Sequence, residues 1–314
     1  MFMRKPQAAA LFAAASLLTA TFALAAEQKQ EVPASTVITI LPENELPGGI
    51  PQDAVHLKLD GKESTITGFT PLRDPQSKVE LVVFIDGGAR TSLGLQMNDL
   101  AKFIESQRPD TKVAVAYMTN GRAAFGGPLT TDHESVLRDL HLTAGSGEAG
   151  ISGSPYFCLS DLAKNWPSSD VHARREAVMI TDGVDYYDQR YDPEDPYVQT
   201  AMDDAVRARV IVYAIYWQSA DRFDRTNYGA GAGQNLLAQI TEGTGGASYW
   251  EGTGNPVSFV PYFADIDRRL DNQYELDFMT AVGDKPQMQT IKLTVSAHAK
   301  VTAPQEVYVH PGAE

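Results

Sequence analysis

The chain has 314 residues, with 26 Lys and Arg against 40 Asp and Glu, and a formal net charge of −14. A surface this acidic is a poor fit for nucleic acid or an anionic membrane face and suits cations, basic partners or plain solubility. The single Cys158 excludes an intrachain disulfide, so a composition that is 43% hydrophobic must supply the core by itself.

In chain order, Arg4 and Lys5 precede an uncharged apolar run over residues 8–22, and Ala23-Leu24-Ala25 offers small residues to a signal peptidase. Residues 1–25 are expected to be a signal peptide cleaved before Ala26, which removes Arg4 and Lys5 and takes the formal charge to −16. No later stretch reaches the roughly 18 to 20 apolar residues that span a bilayer. The expected destination is a periplasm or the extracellular space, with no membrane span. Residues 26–36 are polar and aperiodic and predict a linker. Residues 37–77 hold short strand-like runs punctuated by Leu46-Pro47-Gly48-Gly49 and by the hairpin signal Asp60-Gly61.

From residue 78 the rhythm changes. Residues 81–85, Leu-Val-Val-Phe-Ile, form a continuous apolar run typical of a strand buried on both faces. Helical spacing follows at Met97, Leu100, Phe103 and Ile104. Strands at 113–118, 122–125, 177–181, 210–217 and 247–250 then alternate with helices near 133–140, 156–166, 198–206, 236–241 (capped by Gly243) and 259–270. This pattern predicts an α/β domain over 78–272, a doubly wound and mainly parallel sheet covered on both faces. Residues 273–314 are strand-like again. The strand-rich ends are expected to pair into one small β-subdomain, since isolated hairpins are marginal in water.

Ligands of a doubly wound sheet sit beyond the carboxyl ends of its strands. The first central strand ends at Asp86-Gly87-Gly88-Ala89-Arg90-Thr91-Ser92 and the fourth at Asp182-Gly183-Val184-Asp185. Between them Ser152-Gly153-Ser154-Pro155-Tyr156 opens a helix. Two strand-end carboxylates and a hydroxyl loop are a plausible oxygen site for a hard cation.

With these residues in place, the chain resembles the von Willebrand factor A domains, and most of all the secreted bacterial proteins related to them. The resemblance is carried by Leu59-Asp-Gly-Lys-Glu-Ser-Thr-Ile-Thr-Gly-Phe69, Arg175-Glu-Ala-Val-Met-Ile-Thr-Asp-Gly183, Val212-Tyr-Ala-Ile215, Ile240-Thr-Glu-Gly-Thr-Gly-Gly246 and Asp271-Asn-Gln-Tyr-Glu-Leu276. It implies a metal-ion-dependent adhesion site with Asp86, Ser154 and Asp182 as ligands. The family's Asp-x-Ser-x-Ser pattern is broken here, because Gly88 and Arg90 stand where the serines would be. The implied ion is Mg²⁺, or else Mn²⁺ or Ca²⁺. Three protein donors plus water would hold it weakly. A guanidinium about 4 Å from a divalent ion costs roughly 8 kcal/mol at an effective dielectric near 20. The competing reading is therefore a loop network without metal, in which Arg90 bridges Asp86 and Asp182.

The functional expectation is a protein-binding, adhesion-type module rather than an enzyme. Its rim is expected at Arg90, Thr91, Ser92, Ser152, Asp185, Tyr186, Tyr187 and Asp188, and its partner is another protein. A metal-free scaffold subunit of an envelope assembly is the alternative, and a hydrolase using Asp86 or Asp182 the third reading. The cluster Asp185, Asp188, Asp192, Glu194 and Asp195, with Tyr186, Tyr187, Tyr191 and Tyr197, reads either as a partner surface or as a solvated acidic loop. Gly229-Ala-Gly231-Ala-Gly233 imitates a dinucleotide fingerprint at the wrong spacing and predicts a flexible connector. Cys158 predicts a buried small apolar residue. The six scattered histidines offer no zinc spacing.

Overall fold

The computed structural model describes residues 30–43, 49–73, 77–142, 154–188, 190–219, 226–296 and 298–312. The expected signal peptide, residues 26–29 and Ser152 lie outside the described residues.

The centre is a six-stranded sheet. Its strands are β5 (Val79–Asp86), β6 (Lys112–Thr119), β7 (Arg122–Phe125), β8 (Arg174–Thr181), β9 (Val210–Tyr216) and β10 (Ala247–Tyr249), in the order β10-β9-β8-β5-β6-β7. All neighbours pair in parallel except the edge strand β7, which returns antiparallel through the two-residue Asn120-Gly121 turn. Both turn residues have positive φ, as that hairpin geometry demands. Every residue of β5 and β9 is buried, which is why these strands read as unbroken apolar runs. Alternate side chains serve two cores. Leu81, Val83 and Ile85 pack under helices α1 (Met97–Ser106), α2 (His133–Asp139) and α6 (Val260–Leu270). Val82 and Phe84 pack under α3 (Pro155–Lys164), α4 (Pro196–Arg207) and α5 (Asn227–Thr244). Cys158 is buried in this second core.

The terminal strands form two four-stranded antiparallel sheets. One has the order β13-β1-β11-β4, from Ala299–Thr302, Gln30–Pro42, Gln273–Val282 and Ile66–Pro71. The other has the order β14-β12-β2-β3, from Glu306–Val309, Gln287–Val295, Val55–Leu59 and Lys62–Ser64. Both contribute to a single apolar core that includes Ile38, Ile40, Leu57, Leu276, Phe278 and Val307. The small β-subdomain built from the two ends of the chain is thus a two-layer sandwich.

Two expectations are corrected. The linker predicted over 26–36 is strand from Gln30, paired with β11 from Gln30 opposite Val282 onward. Its polarity comes from lying at a partly free edge, with β13 covering only Thr39 to Pro42. The Met279 N–H opposite Pro33 donates to Thr65 O of the neighbouring segment, so the Pro33–Met279 pair points its polar groups away from each other. Pro33 therefore removes an N–H only from the outer edge, where proline is tolerated and discourages edge-to-edge pairing. The glycine run at 229–233 is not a connector but the first turns of α5, N-capped by the Thr226 hydroxyl accepting from the Gly229 N–H at 2.9 Å. That helix ends at Gly245 in the left-handed conformation (φ +85°), two residues beyond the expected cap.

The sandwich and the α/β domain meet at a buried polar seam. Arg174 Nη1 donates to Leu270 O at 2.9 Å and to Gln273 Oε1 at 2.6 Å. Gln273 Nε2 donates in turn to Glu176 Oε1 at 2.9 Å.

Candidate functional site

The strand order reverses at β5, since β6 lies on one side of it and β8 on the other. Asp86 and Asp182 therefore stand at the two strand ends flanking the switch point, where a doubly wound sheet opens a crevice. Asp86 Oδ1 accepts the Gly88 N–H at 2.7 Å and Oδ2 accepts the Thr181 hydroxyl at 2.5 Å. Asp182 is fully buried. Its Oδ1 accepts the Val184 N–H at 2.9 Å, and its Oδ2 accepts the Tyr186 hydroxyl at 2.6 Å. The Tyr186 oxygen also lies 2.6 Å from Ser219 Oγ.

Close backbone approach shapes this crevice. Gly183 adopts φ +69°, and a Cβ there would lie 2.6 Å from Gly233 O. A Cβ on Gly233 would lie 2.0 Å from Asp182 O. Helix α5 thus abuts the strand-end loop backbone to backbone. Tyr156 secures the loop from the other side: its buried hydroxyl donates to Gly183 O at 2.6 Å. Burial, and then the nearby carboxylates of Asp185, Asp182 and Asp195, push that phenol well above its ordinary pKa. Tyr156→Phe is expected to lower stability by about 1 to 2 kcal/mol, the cost of leaving a buried carbonyl unpaired. Urea unfolding of the two proteins would measure it.

Arg90 does not form the Asp86–Asp182 bridge. Its Nε donates to Ser219 O at 2.7 Å and its Nη2 is buried without a partner, which leaves no two-pronged grip for two carboxylates. The Arg90 backbone N–H also donates to Gln218 O, at 3.2 Å, so the loop is tied to the segment after β9. Thr91 and Ser92 are exposed on the short 3₁₀ turn Thr91–Gln96.

Ser154 and Asp185 lie deeper than a rim requires. Ser154 is fully buried at the N-terminus of α3, yet its hydroxyl neither caps the helix nor finds any other partner of good geometry. Asp185 is 1% exposed; Oδ1 accepts the Tyr187 N–H at 2.9 Å, while Oδ2 has no partner. Burial raises the Asp185 carboxyl above its usual range, opposed by that N–H and by the neighbouring Ser154 hydroxyl.

The tyrosine-rich loop divides. Tyr186 turns inward. Tyr187 and Tyr197 meet edge-on at 4.9 Å, each against Phe157. Tyr191 packs against the second core. Asp195 caps α4, accepting at Oδ1 from the N–H groups of Tyr197 and Val198. Tyr187 and Asp188 are exposed.

An adhesion-type ion fits poorly at Asp86, Ser154 and Asp182. All four carboxylate oxygens already accept a hydrogen bond from the chain, and the two further hydroxyl ligands are missing. Among the described residues no group of three or more His, Cys, Asp or Glu is placed to hold an ion.

One feature of the rim gives no sequence signal. Among the described residues the large, exposed apolar side chains are Leu95, Leu142, Val171, Tyr187, Tyr228, Trp250, Val257 and Val260. All but Val171 lie beyond the carboxyl ends of the sheet strands. Several are neighbours around the 3₁₀ turn. Leu142 lies against Gly94, and Gln96 Nε2 donates to Val257 O at 3.1 Å.

No protein-family model matches the chain, and no curated relative does. Solved structures similar to it include an aerotolerance-related membrane protein from Bacteroides fragilis NCTC 9343 with multiple mutations to serines. It is 15% identical over 62% of this chain and 98% of that one, with a TM-score of 0.43. Proximal thread matrix protein 1 from the mussel byssus, with a zinc-occupied MIDAS motif, is 13% identical over 62% of this chain and 48% of that one, with a TM-score of 0.41. The ArnB paralog VWA2 from Sulfolobus acidocaldarius is 10% identical over 90% of this chain and 74% of that one, with a TM-score of 0.38. The chain's structural neighbours are von Willebrand factor A-domain proteins, and the similarity is remote and one of fold.

Proposed function

We propose that this chain is an extracytoplasmic protein-binding module, not an enzyme, whose partner docks on the rim at the carboxyl ends of the central strands. The observation that carries this reading is the clustering of exposed apolar side chains on that rim, with Leu95 at 82% and Val257 at 88% exposure. Concentrated apolar surface with a polar surround is what protein interfaces use. The docking face then runs from Leu95 and Leu142 through Val257 and Val260, with Thr91, Ser92, Tyr187 and Asp188 at its border.

In this reading the adhesion-type centre is degenerate. Asp86 and Asp182 act as internal anchors that fix the loops, and Arg90 holds the β5 loop to the β9 loop through Ser219. The saturation of both carboxylates by chain donors supports a rim shaped without an ion at that pair. It equally supports binding over acid–base chemistry.

The test is a photo-crosslinking residue placed at Leu95, Val257 or Val171 in cells that make the protein. Adducts with a partner are expected from Leu95 and Val257, and their loss on adding Tyr187→Asp to the same chain would mark the border. Adducts from Val171 with none from the rim would overturn the proposed face.

A further inference from the structure

The outer side of β1 is open over most of its length. β11 pairs with the inner side from Gln30 to Thr39, while β13 covers the outer side only from Thr39 to Pro42. The register settles which backbone groups the open side offers. The Ile40 N–H donates inward to Asn272 O, and the Pro33–Met279 pair faces away from itself, so odd-numbered residues of β1 turn their N–H and C=O outward. Thr39 meets Thr302 of β13 in that way. The next residue in that lane to face outward groups would be Pro304, opposite Val37, and it has no N–H to give. The chain leaves instead for the second sheet, with the Gln305 N–H donating to Gly243 O at 3.0 Å. Among the described residues no strand pairs with the outward side of Ser35 and Val37. Pro33 closes the far end of this gap, because only its C=O remains. The ladder also stops on unsatisfied atoms: the hydroxyls of Thr39 and Thr302, opposite each other, are both buried without a partner.

A cavity of about 180 Å³ lies at this gap, lined by Thr36, Val37, Pro304, Arg207, Arg209 and Tyr308. That is roughly ten times the space one water needs. Glu306 is its one acidic lining residue among those described, set against two arginines in a chain of formal charge −14. Neither guanidinium is held at short range. Arg207 lies 3.3 Å from Asp203 and 3.3 Å from Asp204, with the Tyr308 ring centre at 5.6 Å. Arg209 lies 3.5 Å from Glu275. Charge-assisted pairs of full strength run at about 2.7 to 2.9 Å. The two arginine side chains are 42% and 40% exposed, so their existing pairs are weak and leave donors for a further carboxylate.

We propose that an extended peptide segment of a partner protein pairs with Ser35–Val37, in line with β13, and places an acidic side chain in this cavity. Main-chain bonds to an open edge supply affinity, and a pocket for one of the alternating side chains supplies selectivity. The segment is about five residues long, because β13 bounds it at one end and Pro33 at the other. Val210 and Ile211, which open β9, also line the cavity, so it lies at the amino ends of the central strands, opposite the rim. Neither reading rests on the other.

The experiment is fluorescence anisotropy of dye-labelled pentapeptide pools titrated with the full chain. The central residue is Glu, Gln or Lys, and the other four positions are mixtures of Val, Ile, Thr and Tyr, which favour strands. The Glu pool is expected to bind about tenfold more tightly than the Gln pool, and the Lys pool more weakly still. Ser35→Pro removes an outward N–H, as Pro33 already does, and is expected to weaken the Glu pool about fivefold. Arg207→Gln and Arg209→Asn are expected to shrink the preference for Glu over Gln. Asparagine suits the left-handed backbone at 209, where φ is +57°. No binding by any pool overturns the proposal, and so does equal binding of the Glu and Lys pools or full affinity in Ser35→Pro. Where that variant fails to fold, amide exchange on the wild type decides. Saturating Glu pool is expected to slow exchange at the Ser35 and Val37 N–H groups, and binding without that protection overturns the docking edge.

Discussion

Gly233→Ala lowers stability by more than about 3 kcal/mol, while Gly231→Ala in the same helix raises it by up to about 1 kcal/mol. Alanine is the better helix former at both positions, so propensity alone predicts a gain twice. The surroundings decide otherwise. A Cβ at Gly231 meets open space, whereas one at Gly233 would sit 2.0 Å from the Asp182 carbonyl oxygen. Both sides of that clash are backbone, so no side chain can swing aside. The first turns of α5 must then leave the strand-end loop. Parallel urea denaturations of the two variants measure both effects. A Gly233→Ala protein as stable as wild type would mean that α5 does not abut Asp182 and Gly183 as described.

The second large effect is a pH dependence from Glu176. Burial raises its carboxyl from an ordinary value of 4.5 to about 7, against the opposing pull of Arg174 and the Gln273 amide. Between these two values the folded chain holds a proton that the unfolded chain has lost. Stability therefore falls as pH rises through that window, by about 3 kcal/mol for a shift of this size. Glu176→Gln mimics the protonated form at every pH. The wild type is expected to match the variant to within a few tenths of a kcal/mol near pH 4 and to fall about 3 kcal/mol below it near pH 8. Unfolding both proteins at the two pH values cancels all other titrating groups. A constant difference would mean that Glu176 ionises as an ordinary exposed carboxylate.

The central sheet was legible because strands buried on both faces leave unbroken apolar runs, as at residues 81–85 and 210–217. The edge of the sandwich was not. In β1 only some positions point inward, so Gln30 to Thr36 carries the composition of a linker while being held by pairing with a strand far along the chain. The glycine run was misread because glycine is both a helix breaker and the residue that lets a helix touch backbone, and sequence does not tell the two apart. Asp86 and Asp182 were legible as strand-end acids. Whether such an acid meets solvent, as Asp188 does, or is enclosed, as Asp185 is, depends on packing from α3 and α4. The apolar rim left no trace, since Leu95, Leu142 and Val257 stand in separate segments beside apolar neighbours such as Leu93 and Phe259, which are buried, and only the fold decides which of them stay exposed.

The sandwich has a consequence for the order of assembly. The α/β domain is one uninterrupted stretch of sequence, and its parallel strands can pair as soon as the stretch to β10 is available. The sandwich cannot: β1 needs β11, with Gln30 opposite Val282, and β2 needs β12, with Leu59 opposite Ile291. Loops this long are costly to close before other contacts hold them. The folded α/β domain does that work, because it brings Leu72 N–H to Gln273 O and so sets the ends of β4 and β11 side by side. β1 and the β2–β3 hairpin are therefore completed late, each keeping an open edge until β11 and β12 arrive.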